Sequence, residues 1–189
     1  MPDWIDNTVT VTGTAAEIRA LFDAGFEFDK LFPAPSDLDD NQATTWSYNH
    51  WGCRYADIEK IEYEPGSSTM KVNCRTANGG PIGFLAYLTR ESPTLRITHI
   101  CEQWYGAVLC HMTYAGGVVD GGEFCPEMFT SAALRAFSAT NPWFHAENLI
   151  TMMQEMGYPD KDHEKESVVE LTPIHITYDE YVTRSLQNA

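Results

Sequence analysis

Basic residues are scarce in this chain: 12 Lys and Arg stand against 27 Asp and Glu, for a net charge of −15. That deficit argues against direct nucleic-acid binding, which needs a basic footprint to replace the counterions of the phosphates. Long apolar runs are also missing. Nothing approaches the ~20 residues required to span a bilayer, so no membrane association is expected. The opening Met1-Pro2-Asp3-Trp4-Ile5-Asp6-Asn7 lacks the basic and apolar regions of a signal peptide. No Cys-x-x-Cys occurs, and the 5 cysteines (Cys53, Cys74, Cys101, Cys110, Cys125) are odd in number and widely spaced. The expected setting is a reducing cytoplasm, with the thiols acting as small buried hydrophobes and no disulfide. Gly-x-Ser-x-Gly, the phosphate-binding Gly-x-x-x-x-Gly-Lys, His-Glu-x-x-His and the dinucleotide fingerprint are all absent. An enzyme is therefore not expected, and no catalytic residue or cofactor is assigned.

What is present is enough for a core: 43% of residues are hydrophobic and 12% aromatic, in 189 residues. The charge is uneven. Residues 1–40 carry nine acids and two bases, and residues 120–189 twelve and four, whereas residues 53–114 balance at six and six. The densest cluster of large amphipathic side chains, Asn49-His50-Trp51-Gly52-Cys53-Arg54-Tyr55-Ala56-Asp57, with Trp46 and Tyr48 just upstream, runs into the start of the balanced segment. Tyr, Trp and Arg carry much of the binding energy at interfaces. They equally serve as plugs for a core, and both readings of Trp51 and Tyr55 stand open here.

Local patterns predict the elements. Thr8–Thr12 is β-branched throughout and predicts a strand. Thr14-Ala15-Ala16-Glu17 has capping-box spacing before the apolar stripe Ile18, Leu21, Phe22 of a helix that Gly25 stops. Residues 26–40 read as a loop. Residues 58–64 and 69–75 form a hairpin around Pro65-Gly66-Ser67, and Pro81 opens a helix to about Arg90. Strands follow at 95–101 and 106–114, then a Gly116-Gly117 turn into Val118-Val119. Helices are expected at 128–137 and from Asn141-Pro142 to Gly157, where Met152, Met153 and Met156 read as core. A charged loop at 160–166, a broken strand at 168–176 and a terminal helix capped by Thr177 and Glu180 complete the chain. The order β-α-β-β-α-β predicts an α+β fold with a ferredoxin-like split β-α-β antiparallel sheet, an extra hairpin and a helical C-terminal extension. The expected division is a domain over 1–122, with 123–189 packed on it.

Several stretches, taken in order, resemble one family. Met1 to Asn7 before Thr12-Gly13 is similar to an opening Met-Pro-Asn-Trp-Cys-x-Asn, and Leu31-Phe32-Pro33-Ala34-Pro35 to a Leu-x-Pro-x-Pro loop. Trp51-Gly52-Cys53-Arg54-Tyr55 resembles a Trp-Gly-Thr-Lys-Trp box, Thr76 to Pro81 a Thr-Ala-Trp-x-x-Pro segment, and Glu102 to Gly106 a Glu-x-x-x-x-Gly stretch. Together these resemble the YubB ferredoxin-like domain family, small proteins of bacteriophages and conjugative plasmids. Asp3, Ile5, Tyr55 and Asn78 depart from its usual Asn, Cys, Trp and Trp. The resemblance implies a protein of a mobile element and, by association, a counter-defence role.

The expected function is non-enzymatic capture of a host protein or of a small anionic or planar signalling molecule; homo-oligomerisation is compatible with the sequence. Candidate binding residues are Trp4, Asn7, Trp51, Gly52, Arg54, Tyr55, Asp57, Arg75, Asn78, Glu102, Trp104 and Tyr105, since guanidinium groups beside aromatic faces suit such a ligand. A pocket lined by both Arg54 and Arg75 would mark it. Two alternatives stand beside this one: an acidic decoy for nucleic acid, and a small enzyme in which Asp57, Glu102 and His111 meet. For metal, His99, Cys101, Cys110 and His111 share one hairpin, but adjacent Cys110 and His111 face opposite ways. At most three converge where a structural zinc site wants four, and no metal is expected.

Overall fold

Side-chain alternation on the first strand sets the layout of the protein. In the computed structural model, which describes residues 3–103, 109–124, 131–140, 146–155, 157 and 172–187, β1 (Trp4–Thr12) turns Asn7, Val9 and Val11 inward. Thr8, Thr10 and Thr12 face the other way, as the period of two requires. Seven strands form one antiparallel sheet in the order β2-β3-β1-β4-β5-β6-β7. The others are β2 (Ala56–Tyr63), β3 (Thr69–Ala77), β4 (Arg96–Gln103), β5 (Leu109–Ala115), β6 (Val118–Phe124) and β7 (Thr172–Thr177). Register carries the inner face across six strands: Val11 stands beside Met70 and Ile97, then Tyr114, Val119 and Ile176. All of these are buried.

The helices supply the other half of this core. α1 (Ala15–Asp23) starts at Thr14, where both bonds of the capping box form with Glu17, and it buries Ile18 and Leu21. α4 (Ile82–Glu91) buries Phe84, Leu85 and Leu88, and these join Val9, Val11, Ile18 and Leu21 in one hydrophobic cluster. α7 (Tyr178–Gln187) opens with the second expected capping box, from Thr177 to Glu180, and adds Tyr178. α5 (Ser131–Thr140) and α6 (Ala146–Glu155) pack against each other. No helix among the described residues is long and apolar enough to cross a membrane. The expected segments at 128–130, 141–145 and 158–171 lie outside the described residues, as do Met156, the side chains of Met152 and Met153, and residues 106–108 of the expected strand.

The stretch from 26 to 55 differs from expectation. It holds α2 (Phe28–Leu31) and a three-turn helix, α3 (Asp40–Trp51). α3 has almost no apolar stripe and many poor helix formers, so periodicity does not reveal it. It is held by its ends. Asp39 and Gln42 exchange capping-box bonds of 2.9 and 3.0 Å, and Gly52 closes the helix in the left-handed region at φ 94°.

Candidate functional site

The C-terminus of α3 is fixed from below. Trp51 is buried, its indole N–H donates to the Phe32 carbonyl at 2.9 Å, and the rings of Phe28 and Trp46 stand nearly perpendicular to it at 5.7 and 5.9 Å. Trp51 is thus a folding anchor. Three residues on, the chain emerges: Arg54 is exposed and Tyr55 is 56% exposed.

A close backbone crossing holds this exit against the β3–α4 connection. A Cβ on Gly79 would lie 2.1 Å from the Gly52 carbonyl oxygen, and one on Gly52 would lie 2.5 Å from that of Gly80. Neither position has room for a side chain. Asn78, at φ 62°, ties the same loop to the start of β1: its backbone N–H donates to the Asp3 carbonyl at 2.7 Å, and its side-chain oxygen accepts from the Asp3 N–H at 2.9 Å. Arg54 and Ala77 add a backbone bond of 3.0 Å. The candidate residues Gly52, Arg54 and Asn78 therefore meet.

Two open clefts flank Arg54. One, of about 780 Å³, runs along Phe28, Ser47, Trp51, Tyr55 and Lys60. The other, of about 620 Å³, is lined by Tyr48, Asn78, Gly80, Cys101 and Tyr181. Arg54 borders both. Among the described residues its guanidinium has no ion-pair partner, whereas Arg19, Lys30, Lys60, Arg75, Arg90 and Arg135 each have one.

Beneath the second cleft lies a buried polar chain. The Asn7 amide nitrogen donates to the Ile5 carbonyl (2.9 Å), the Thr76 hydroxyl (2.9 Å) and the Cys74 carbonyl (3.3 Å). That orients its oxygen to accept from His99 Nε2 at 2.9 Å. Burial first, and then neighbouring His111, depress the His99 pKa to about 3, so the ring is neutral. With its proton on Nε2, Nδ1 accepts from the Tyr114 hydroxyl at 3.0 Å. A Cβ on Gly80 would sit 3.7 Å from the His99 ring, which places the network directly under the loop.

The expectation of free thiols is corrected here. Cys101 and Cys110 face each other across β4 and β5, with Cα atoms 5.1 Å apart, and form a disulfide. Directly opposed positions on antiparallel strands meet the distance requirement of such a bond, which spacing along the sequence does not disclose. Cys53 and Cys74 are free and buried, and burial raises both thiols, Cys74 to about 12.

Other candidates go elsewhere. Arg75 faces away from the core, 5.5 Å above the Trp4 ring, with Nε 2.7 Å from Glu59 though off the hydrogen-bonding direction, and with a 3.5 Å bond to Asp57. It lines neither of the two clefts that Arg54 borders, contrary to the expected common pocket. Asp57 on β2 and His111 on β5 are separated by three strands, about 19 Å at the usual strand spacing. The acid–base group does not assemble. Glu102 contributes its backbone to β4, and Trp104 and Tyr105 lie outside the described residues. Tyr48, noted in the sequence only as a neighbour of the aromatic cluster, and Tyr181 were not among the candidates; their contributions depend on α3 and on the return of α7.

Comparison with protein-family models, curated proteins and solved structures yields no match.

Proposed function

We propose that this is a non-enzymatic binding protein whose Arg54 clefts receive a small anionic, planar ligand such as a nucleotide. The observation that carries the reading is the exposed Arg54 guanidinium, free of carboxylate partners among the described residues in a chain with 27 acidic residues. A guanidinium fork pairs with phosphate in two parallel bonds and stacks on planar rings. Tyr48, 45% exposed, borders one cleft, and Tyr55 borders the other. The separation of Asp57 from His111 favours binding over acid–base catalysis.

The same reading takes the first four strands, in the order β2-β3-β1-β4, as a ferredoxin-like unit. β1 lies between β3 and β4, and α4 connects the latter two, which supports that assignment; α2, α3 and β5 to β7 elaborate it. The resemblance to phage and plasmid proteins supports a counter-defence role, in which a signalling nucleotide of the host is sequestered. A calorimetric titration with mononucleotides and cyclic dinucleotides tests the function. Binding is expected for the parent and should weaken at least tenfold in Arg54→Ala. If no nucleotide binds, and parent and Arg54→Ala retain the same molecules from a host lysate, the reading fails.

A further inference from the structure

The Cys101–Cys110 bridge has a third neighbour that a merely structural disulfide does not require. A nitrogen of His99 and the two sulfurs all lie within 4.8 Å of one another. His99 precedes Cys101 by two residues on the same strand and so shares its face, while Cys110 stands directly opposite Cys101. An aliphatic side chain at position 99 would fill this core without the cost of burying an imidazole.

We infer that reduction of this disulfide creates a metal site with His99, Cys101 and Cys110 as ligands and a fourth position open to the 620 Å³ cleft. Two thiolates and one imidazole are a soft donor set suited to Zn²⁺ or Cu⁺. Cys101 is half-buried and lines the cleft, which supplies the entry path. With Zn²⁺ the two thiolates cancel the charge of the dication, so the buried site needs no further carboxylate. Asn7 and Tyr114 hold the imidazole from its two nitrogens. Metal displaces one of these bonds, and the other continues to orient the ring. Three protein ligands and an open position are the pattern of a site that binds an exogenous ligand.

The two states exclude each other. In the oxidised form the sulfurs are bonded to one another and are not available to metal. A dithiol reductant supplies two electrons and two protons, becomes a disulfide itself, and leaves two cysteine thiols. Zn²⁺ then replaces both thiol protons, which pass to solvent. The site is gated by redox state.

The experiment titrates metal-free, phosphine-reduced protein with Co²⁺, whose thiolate charge-transfer and tetrahedral visible bands report the donor set. A single Co²⁺ per chain with both bands is expected. Oxidised parent and reduced Cys110→Ser should show neither band, and reduced Cys74→Ser should keep both. A second arm needs no variant: Zn²⁺ should protect the peptides carrying Cys101 and Cys110 from alkylation, read by mass spectrometry. Absence of the bands in reduced protein that keeps its native circular dichroism overturns the assignment. So does protection that falls on other cysteines.

Discussion

Asn7 on the first strand and His99 on the fourth are joined by a 2.9 Å hydrogen bond in which His99 Nε2 donates and Asn7 Oδ1 accepts. Both side chains are buried, and each has its remaining polar atoms satisfied by Ile5, Thr76, Cys74 and Tyr114. Truncating one member leaves the others without partners. Asn7→Ala should lower stability by about 2–4 kcal/mol, since each orphaned buried group costs roughly 1–3 kcal/mol. Urea denaturation of parent and variant measures this.

The same pair sets a pH dependence. The folded-state pKa of His99 is depressed to about 3, below the roughly 6.5 of an unfolded chain. Its contribution is complete above the unfolded value. As pH falls from about 6.5, the unfolded state takes up a proton that the folded state refuses, and stability declines by up to about 1.4 kcal/mol per pH unit. His175 works with the opposite sign, because its hydrogen bond to Asp120 raises its pKa. The difference between parent and His99→Gln isolates the buried histidine. Stability of His99→Gln should fall less steeply between about pH 6.5 and 5, and equal slopes would contradict a neutral His99.

Trp51 and Arg54, three residues apart, should separate stability from binding. Trp51→Ala removes a buried ring and should cost about 3–5 kcal/mol. Arg54→Ala removes an exposed side chain with no ion-pair partner among the described residues and should melt within about 2 °C of the parent. Thermal melting of both variants, set beside ligand retention, gives the comparison. A large drop for Arg54→Ala would show that its guanidinium serves the fold.

Gly79→Ala should be among the most damaging single-methyl changes in the chain. The added carbon meets the Gly52 carbonyl at 2.1 Å, a backbone atom that cannot rotate aside. A loss of several kcal/mol is expected, against the roughly 1 kcal/mol gain or loss usual for Gly and Ala exchanges in compatible conformations. Gly66→Ala, where nothing lies within 4 Å but φ is 86°, is the control for backbone strain alone.

Reducing the Cys101–Cys110 bond in the presence of a chelator should cost about 2–3 kcal/mol, from the chain entropy released by opening a loop of about ten residues. Cys101→Ala with Cys110→Ala should show the same loss and no response to reductant. A response to reductant that persists in the double variant would point to another cysteine.

Legibility in the sequence followed the range of the interactions. α1 and α7 were readable because their caps are local, Thr14 with Glu17 and Thr177 with Glu180, and the β2–β3 hairpin because Pro65-Gly66 marks its turn. The α3 helix carries Asp39 and Gln42 at the same capping spacing, and Gly52 at its end, yet Asp40–Trp51 lacks the apolar stripe that draws attention to a helix. The Trp51-Gly52 and Gly79-Gly80 pairs were visible as motifs, but their contact is a tertiary event. Arg75 is fixed on the outer face by the β2–β3 register, whereas Arg54 lies in the bend between α3 and β2, so their separation depends on α3 as well as on the hairpin. The cysteine bridge needed the β4–β5 register, which no local signal gives.

The placement of β1 carries a consequence for synthesis. Val9 emerges from the ribosome first, but its neighbours are Val72 and His99. At about 5–20 residues per second the strand waits on the order of 5–20 s for both partners. Throughout that delay Thr8-Val9-Thr10-Val11-Thr12 is a β-prone segment with both edges unsatisfied, the composition that recruits other strands. Soluble yield should therefore depend on how fast the message is read through codons 70–103 and on chaperone capacity during that interval.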